Sequence, residues 1–153
     1  MIKILYKCLI ICVCFSFYSS ENRFDLLIND LEGKVVYVDI WATWCAPCVK
    51  SIPDTKRVKE KYINKNVEVV FLSIDGDKKK WEEVSKKFNI LDRNCIITGY
   101  VQASNSKSLS KIQIKEIPRY LIFNKKGILV NDNAPRPTQK IKLAKELEKY
   151  LKE

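Results

Sequence analysis

Residues 34–48 read KVVYVDIWATWCAPC, and this stretch decides the fold. From Lys34 to Trp41 the residues are β-branched, aromatic or aliphatic, as in a buried strand, with one anomaly, Asp39. A carboxylate in an apolar strand is costly unless it is paired or protonated. Burial would raise its pKa towards neutrality, where it can take up and release a proton; on an edge strand it would point to water instead. Beyond the strand, residues 46 to about 63 carry Val49, Ile52, Val58 and Tyr62 at helical spacing, and Pro53 predicts a kink. Cys45 therefore falls at a helix N-terminus, where unpaired backbone N–H groups and the positive end of the helix dipole favour a thiolate over a thiol. Pro47 removes no hydrogen bond there, because first-turn N–H groups have no intrahelical partner. Cys48, three residues on, lies on the same side of the first turn and can close a disulfide with Cys45. Trp41 and Trp44 are expected as exposed aromatics beside the pair.

A C-x-x-C can also be half of a metal site or a structural staple. A structural zinc takes four ligands, but the chain has no histidine and, past its leader, only Cys45, Cys48 and Cys95. A cluster held by cysteines alone falls short for the same reason. The absence of histidine also excludes Ser-His-Asp and Cys-His nucleophiles and histidine general bases. A pair at a strand-to-helix junction suits redox exchange better than stapling. Cys95, in RNCIITGY, reads as a small core hydrophobe, with a third redox centre as the alternative.

Outward from the pair, helix and strand patterns alternate. Residues 21–31 predict a short helix that stops at Glu32-Gly33, and residues 67–74 (VEVVFLSI) predict a second strand. Residues 78–88 form an amphipathic helix through Trp81, Val84 and Phe88. Residues 95–101 read as extended, and residues 104–112 as a short helix. Residues 119–123, an NKKG turn at 124–127 and residues 128–130 predict a hairpin. APRP at 134–137 breaks the chain before a last helix, 138–151, with Ile141, Ala144, Leu147 and Leu151 on one face. This order predicts an α/β domain with a central mixed β-sheet, parallel βαβ pairing first and a terminal antiparallel hairpin, flanked by helices. With 153 residues, 46% of them apolar, there is room for one such domain.

The first twenty residues stand apart. Lys3 and Lys7 precede an apolar run from Cys8 to Phe17, too short for a bilayer core of about 30 Å and right for a secretory h-region. Residues 1–20 are thus expected to be a signal peptide or an N-terminal membrane anchor, with residues 21–153 as the domain. Cys8, Cys12 and Cys14 raise lipidation, although Ile11-Cys12-Val13-Cys14 is a poor lipobox, and a first element buried in the core is the bland alternative. The chain carries 28 basic and 18 acidic residues, a net charge of +10. Lysines interspersed with acids, without a basic-aromatic repeat, predict a solvated surface and no nucleic-acid partner.

KVVYVDIWATWCAPC, Pro53 five residues after Cys48, and IPRYLIFNKKG together resemble the thioredoxin superfamily, and most closely its exported TlpA/ResA-like thiol–disulfide oxidoreductases. The resemblance runs over about residues 24–151 and implies a thioredoxin fold. It implies Cys45 as the attacking cysteine, Cys48 as the resolving one, and Asp39 beneath them as the group that assists deprotonation of Cys48. It makes Ile117-Pro118 the cis-proline dipeptide that pairs with an incoming chain; a plain trans proline is the alternative. Trp44, Ala46 and Pro47 would join that substrate surface. Residues 90–112 resemble the extra segment of TlpA-like members. Ser51 stands where many relatives have glutamate, which weakens a role in cytochrome c maturation, and Phe71 stands where thioredoxin often has lysine facing the aspartate. What the resemblance implies is a monomeric enzyme of the periplasm or cell envelope, without cofactor. It would exchange disulfides with protein substrates, as a reductase supplied by a membrane or envelope electron donor. A thiol peroxidase on the same fold and a redox-silent binding module are the competing readings.

Overall fold

The computed structural model describes residues 22–153, so the expectations for residues 1–20 lie outside the described residues. In chain order the elements are α1 (Arg23–Asp30), β1 (Val35–Trp41), α2 (Ala46–Tyr62), β2 (Val67–Ser73), α3 (Lys78–Lys87), β3 (Cys95–Ile97), α4 (Gly99–Ser104), β4 (Arg119–Phe123), β5 (Leu129–Asn131) and α5 (Lys140–Leu151). The strands form one sheet in the order β3-β2-β1-β4-β5. β1 lies in the middle, parallel to β2 and antiparallel to β4, and every one of its residues is buried. A strand covered on both faces needs apolar residues throughout, which is why VVYVDIW does not alternate. Asp39 sits opposite Phe71 on one neighbour and Tyr120 on the other, so it points into protein and not from an edge to water.

Residues opposite one another in register share a face of the sheet. On the face of Asp39 and Tyr120 lies α2, through Thr55 and Ser51, and α3 packs there through Ser85 against Cys95. α5 lies beside α2, with Leu143 and Ala144 close to Val58 and Tyr62. The opposite face is covered by α1, whose Phe24 meets Phe123 edge to face at 5.9 Å. Asn22 caps α1 by accepting the Phe24 N–H, and Asp77 caps α3 by accepting the Lys80 N–H. α2 continues through Pro53.

The region after β2 departs from the sequence expectation. Extended chain ends at Ile97, and α4 begins at Gly99, whose φ of +71° is a turn conformation that few other residues adopt readily. The helix expected over 104–112 is absent: Ser104 ends α4, and residues 105–112 are turns and irregular chain. The Asp25 carboxylate explains it, accepting the Ser106 hydroxyl and the backbone N–H groups of Lys107 and Ser108. Groups tied to a distant carboxylate cannot serve a regular helix.

The last helix presents a different stripe from the expected one. Leu143, Leu147 and Tyr150 are buried, while Ile141 is 87% exposed. Two residues turn a helix by about 200°, so once Leu143 faces α2, Ile141 must face solvent. The hairpin's second strand begins at Leu129, with an irregular step at Ile122/Phe123. Its turn uses Gly127 at φ +67°, where an added Cβ would lie 3.3 Å from Ile28.

Candidate active site

The end of β1 turns sharply: the Cys45 N–H donates to the Ala42 carbonyl at 3.1 Å. Thr43 and Trp44 occupy the middle of this turn, and it delivers Cys45 to the N-cap of α2. There the Cys48 N–H donates to Cys45 Sγ at 3.3 Å. A sulfur that accepts a free helix N–H is placed to be stabilised as a thiolate. Cys45 and Cys48 are joined, with S–S 2.04 Å and Cα atoms 5.2 Å apart. Cys48 is fully buried and Cys45 retains 6% exposure, so an incoming sulfur reaches Cys45 first. The Ile117–Pro118 peptide is cis, and the Ile117 carbonyl oxygen lies 3.7 Å from Cys45 Sγ.

Trp44, Cys45, Ala46, Pro47 and Ile117 line one open groove of about 630 Å³. Its other wall is Ile74, Tyr100 and Ile114, which sequence reasoning does not find because they lie outside the C-x-x-C and Ile-Pro motifs and reach the groove only through the fold. Trp44 is 68% exposed, as expected, whereas Trp41 is wholly buried. The correction follows from strand geometry: Trp41 is the last residue of the central strand, and Trp44 lies beyond it in the turn.

Between β1 and α2 lies a buried polar group. Asp39 Oδ2 accepts the Thr55 hydroxyl at 2.6 Å, and Oδ1 has no partner. Burial pushes the carboxyl up to about 7, against the Thr55 bond, which lowers it. Ser51 donates to the Cys48 carbonyl at 2.8 Å and accepts the Tyr120 hydroxyl at 3.1 Å. Ser51 is thus a neutral link between α2 and β4. Cys95 is buried against Ser85, and burial pushes its thiol up to about 11, which suits a core residue better than an exchanging one.

Asp75, just past β2, also escapes sequence reasoning. Its buried carboxylate accepts the Thr43 N–H at 2.9 and 3.1 Å, the Thr43 hydroxyl at 2.7 Å and the Ser73 hydroxyl at 2.6 Å. These bonds tie the turn that carries Trp44 and Cys45 to the neighbouring strand. Replacing Asp75 by alanine removes the acceptor of three donors, two on half-buried Thr43 and one on buried Ser73, and is expected to lower stability by about 2 kcal/mol. Urea unfolding measures it, and a loss below about 1 kcal/mol would mean that the turn holds without this brace.

The pattern of the thioredoxin-like family matches residues 33–129, which include β1, the C-x-x-C, the cis proline and the start of the hairpin. The chain belongs to the thioredoxin-like family. Thiol-disulfide oxidoreductase ResA of Bacillus cereus is 27% identical over 124 residues, 81% of this chain and 65% of that protein. The chain thus spans a little under two thirds of that relative's length. A Bacteroides vulgatus protein assigned as a thiol-disulfide oxidoreductase, solved in solution, is 32% identical with a TM-score of 0.65. The match covers 82% of this chain and 78% of that one. A crystal structure of a likewise assigned B. vulgatus protein superposes with a TM-score of 0.67 at 28% identity, covering 79% and 81% of the two chains. At the parallel edge of the sheet, β3 pairs with β2 from Phe71 to Ser73.

Proposed function

We propose that this chain is a thiol–disulfide oxidoreductase that exchanges disulfides with protein substrates through Cys45 and Cys48. One observation carries the reading: Cys45, the more accessible half of a closed Cys45–Cys48 disulfide, caps α2 through its sulfur and lines an open groove beside the cis Ile117–Pro118 peptide. In the reduced protein the Cys45 thiolate attacks one sulfur of a substrate disulfide, and the other substrate sulfur leaves as a thiolate. Cys48 gives its proton to Asp39 and attacks Cys45 Sγ. The Cys45–Cys48 disulfide forms and the second substrate thiolate is released, two electrons having passed to the substrate. Trp44, Ala46, Pro47, Ile117 and Pro118 form the surface along which the substrate's extended segment lies, with Tyr100 and Ile114 opposite.

The physiological direction is reduction in the cell envelope. A leader at residues 1–20 would carry the domain, as a monomer, across or to the membrane, where an envelope electron donor would reopen the disulfide. Among the described residues no helix is long and apolar enough to cross a membrane. The direction is tested by the midpoint potential of the Cys45–Cys48 pair, obtained by equilibration in redox buffers and counting alkylated thiols by mass. A value near about −270 mV is expected of a reductant; a value near about −120 mV would make the protein an oxidant that installs disulfides.

A further inference from the structure

We infer that Thr55 is a positioning residue: its hydroxyl holds Asp39 by one carboxylate oxygen and leaves the other free to receive the Cys48 proton. The inference rests on the reading of Asp39 as proton acceptor given above. Thr55 and Asp39 are both wholly buried, and their oxygens are 2.6 Å apart, within the range of a hydroxyl bonded to a charged carboxylate. The other hydroxyls nearby are engaged elsewhere. Tyr37 donates to the Pro135 carbonyl at 2.8 Å and Tyr120 to Ser51 at 3.1 Å, while β2 offers only Phe71 opposite Asp39. Among the described residues Thr55 is therefore the donor to this carboxylate, and Oδ1 is left with none.

The placement links the two halves of the site. Cys48, Ile52 and Thr55 lie at i, i+4 and i+7 on the buried face of α2, so one rigid helix carries both the resolving cysteine and the group that orients its acceptor. Threonine is stiff at χ1 in a helix, which holds the hydroxyl in direction. The titratable groups facing Asp39 are Tyr37 from its own strand and Tyr120 from β4. Burial first, then the Asp39 charge, pushes both tyrosines above their ordinary range, so neither ionises with the carboxyl. Burial raises the Asp39 pKa, and the Thr55 bond opposes it. Without that bond Asp39 would hold its proton to higher pH and would less often be an acceptor at neutrality.

Thr55→Val keeps the volume and removes the donor; Thr55→Ser keeps the donor. In the oxidised full chain, the carboxyl carbon of Asp39 is followed by NMR against pH, a readout independent of turnover. Its midpoint is expected to rise by about one unit in Thr55→Val and to stay near wild type in Thr55→Ser. Release of substrate from a preformed Cys45 mixed disulfide should then slow about fivefold at pH 7, with its pH profile displaced upward by the same unit. Thr55→Ala supplies the same comparison if valine is not accommodated. A folded Thr55→Val or Thr55→Ala protein with an unmoved Asp39 midpoint overturns the inference. Asp39→Asn separates the two layers. If it leaves release unchanged, the acceptor reading is wrong; if it slows release while Thr55→Val moves neither midpoint nor rate, only the role of Thr55 is wrong.

Discussion

Cys48→Ser is expected to arrest the protein on its substrates. Cys45 would remain at the N-cap of α2, where the residue 48 N–H supports its sulfur, so the first attack would proceed. The sulfur that reopens the mixed disulfide would be missing, and covalent adducts through Cys45 should accumulate until an added thiol releases them. Cys45→Ser should form no adduct and lose exchange completely, because Cys48 is fully buried and cannot reach an incoming disulfide. Non-reducing electrophoresis with mass mapping of the linked peptides reads both outcomes. Adducts through Cys48 in the Cys45→Ser protein would reverse the assigned roles, and no adducts in either protein would remove the case for exchange altogether.

Asp39→Asn should make the protein more stable and slower. Burial raises the carboxyl to about 7 in the folded chain, whereas the unfolded chain titrates near 3.8. Between those two values the folded state binds the extra proton, so the fold loses stability as pH rises through this window, and the loss is complete above about pH 7. About three pH units correspond to as much as about 4 kcal/mol of penalty at pH 8, reduced in the comparison by the cost of burying an amide. Asparagine does not titrate. Its advantage over wild type should therefore be absent below about pH 4 and grow to a plateau above pH 7. Urea unfolding at pH 4 and pH 8 measures this difference. Release of substrate from the mixed disulfide should fall in the same variant, since the amide cannot accept the Cys48 proton. A protein that is no more stable at pH 8 would mean that Asp39 is already neutral or better solvated than its burial indicates.

Much of the site was legible in contiguous residues. WATWCAPC states a turn, a helix start and two cysteines one turn apart, and these are local matters of backbone N–H supply and helix geometry. The all-apolar run around Asp39 announced a strand covered on both faces, because only a central strand needs no polar side. Where the sequence misled, the deciding partner was far away along the chain. Residues 104–112 have a helical look, but Asp25, some eighty residues earlier, takes the hydrogen bonds that a helix would need. Ile141 fits an apolar stripe on paper; the approach of α5 to α2 kept the expected Leu147 but buried Leu143 in place of Ile141.

The dithiol, its place at the start of α2 and the βαβ-then-hairpin order could therefore be read from the residues alone. The physical reason is that each depends on neighbours within one or two turns of chain. Assembly of the sheet and helices was needed to bury Asp39 between β2 and β4, to bond Thr55 to it, to let Asp75 brace the Thr43–Trp44 turn, and to bring Tyr100 and Ile114 to the groove. Those pairings follow from how α2 and the segment after β3 sit on the sheet. Packing sets that register through the whole core at once, and no local pattern of residues records it.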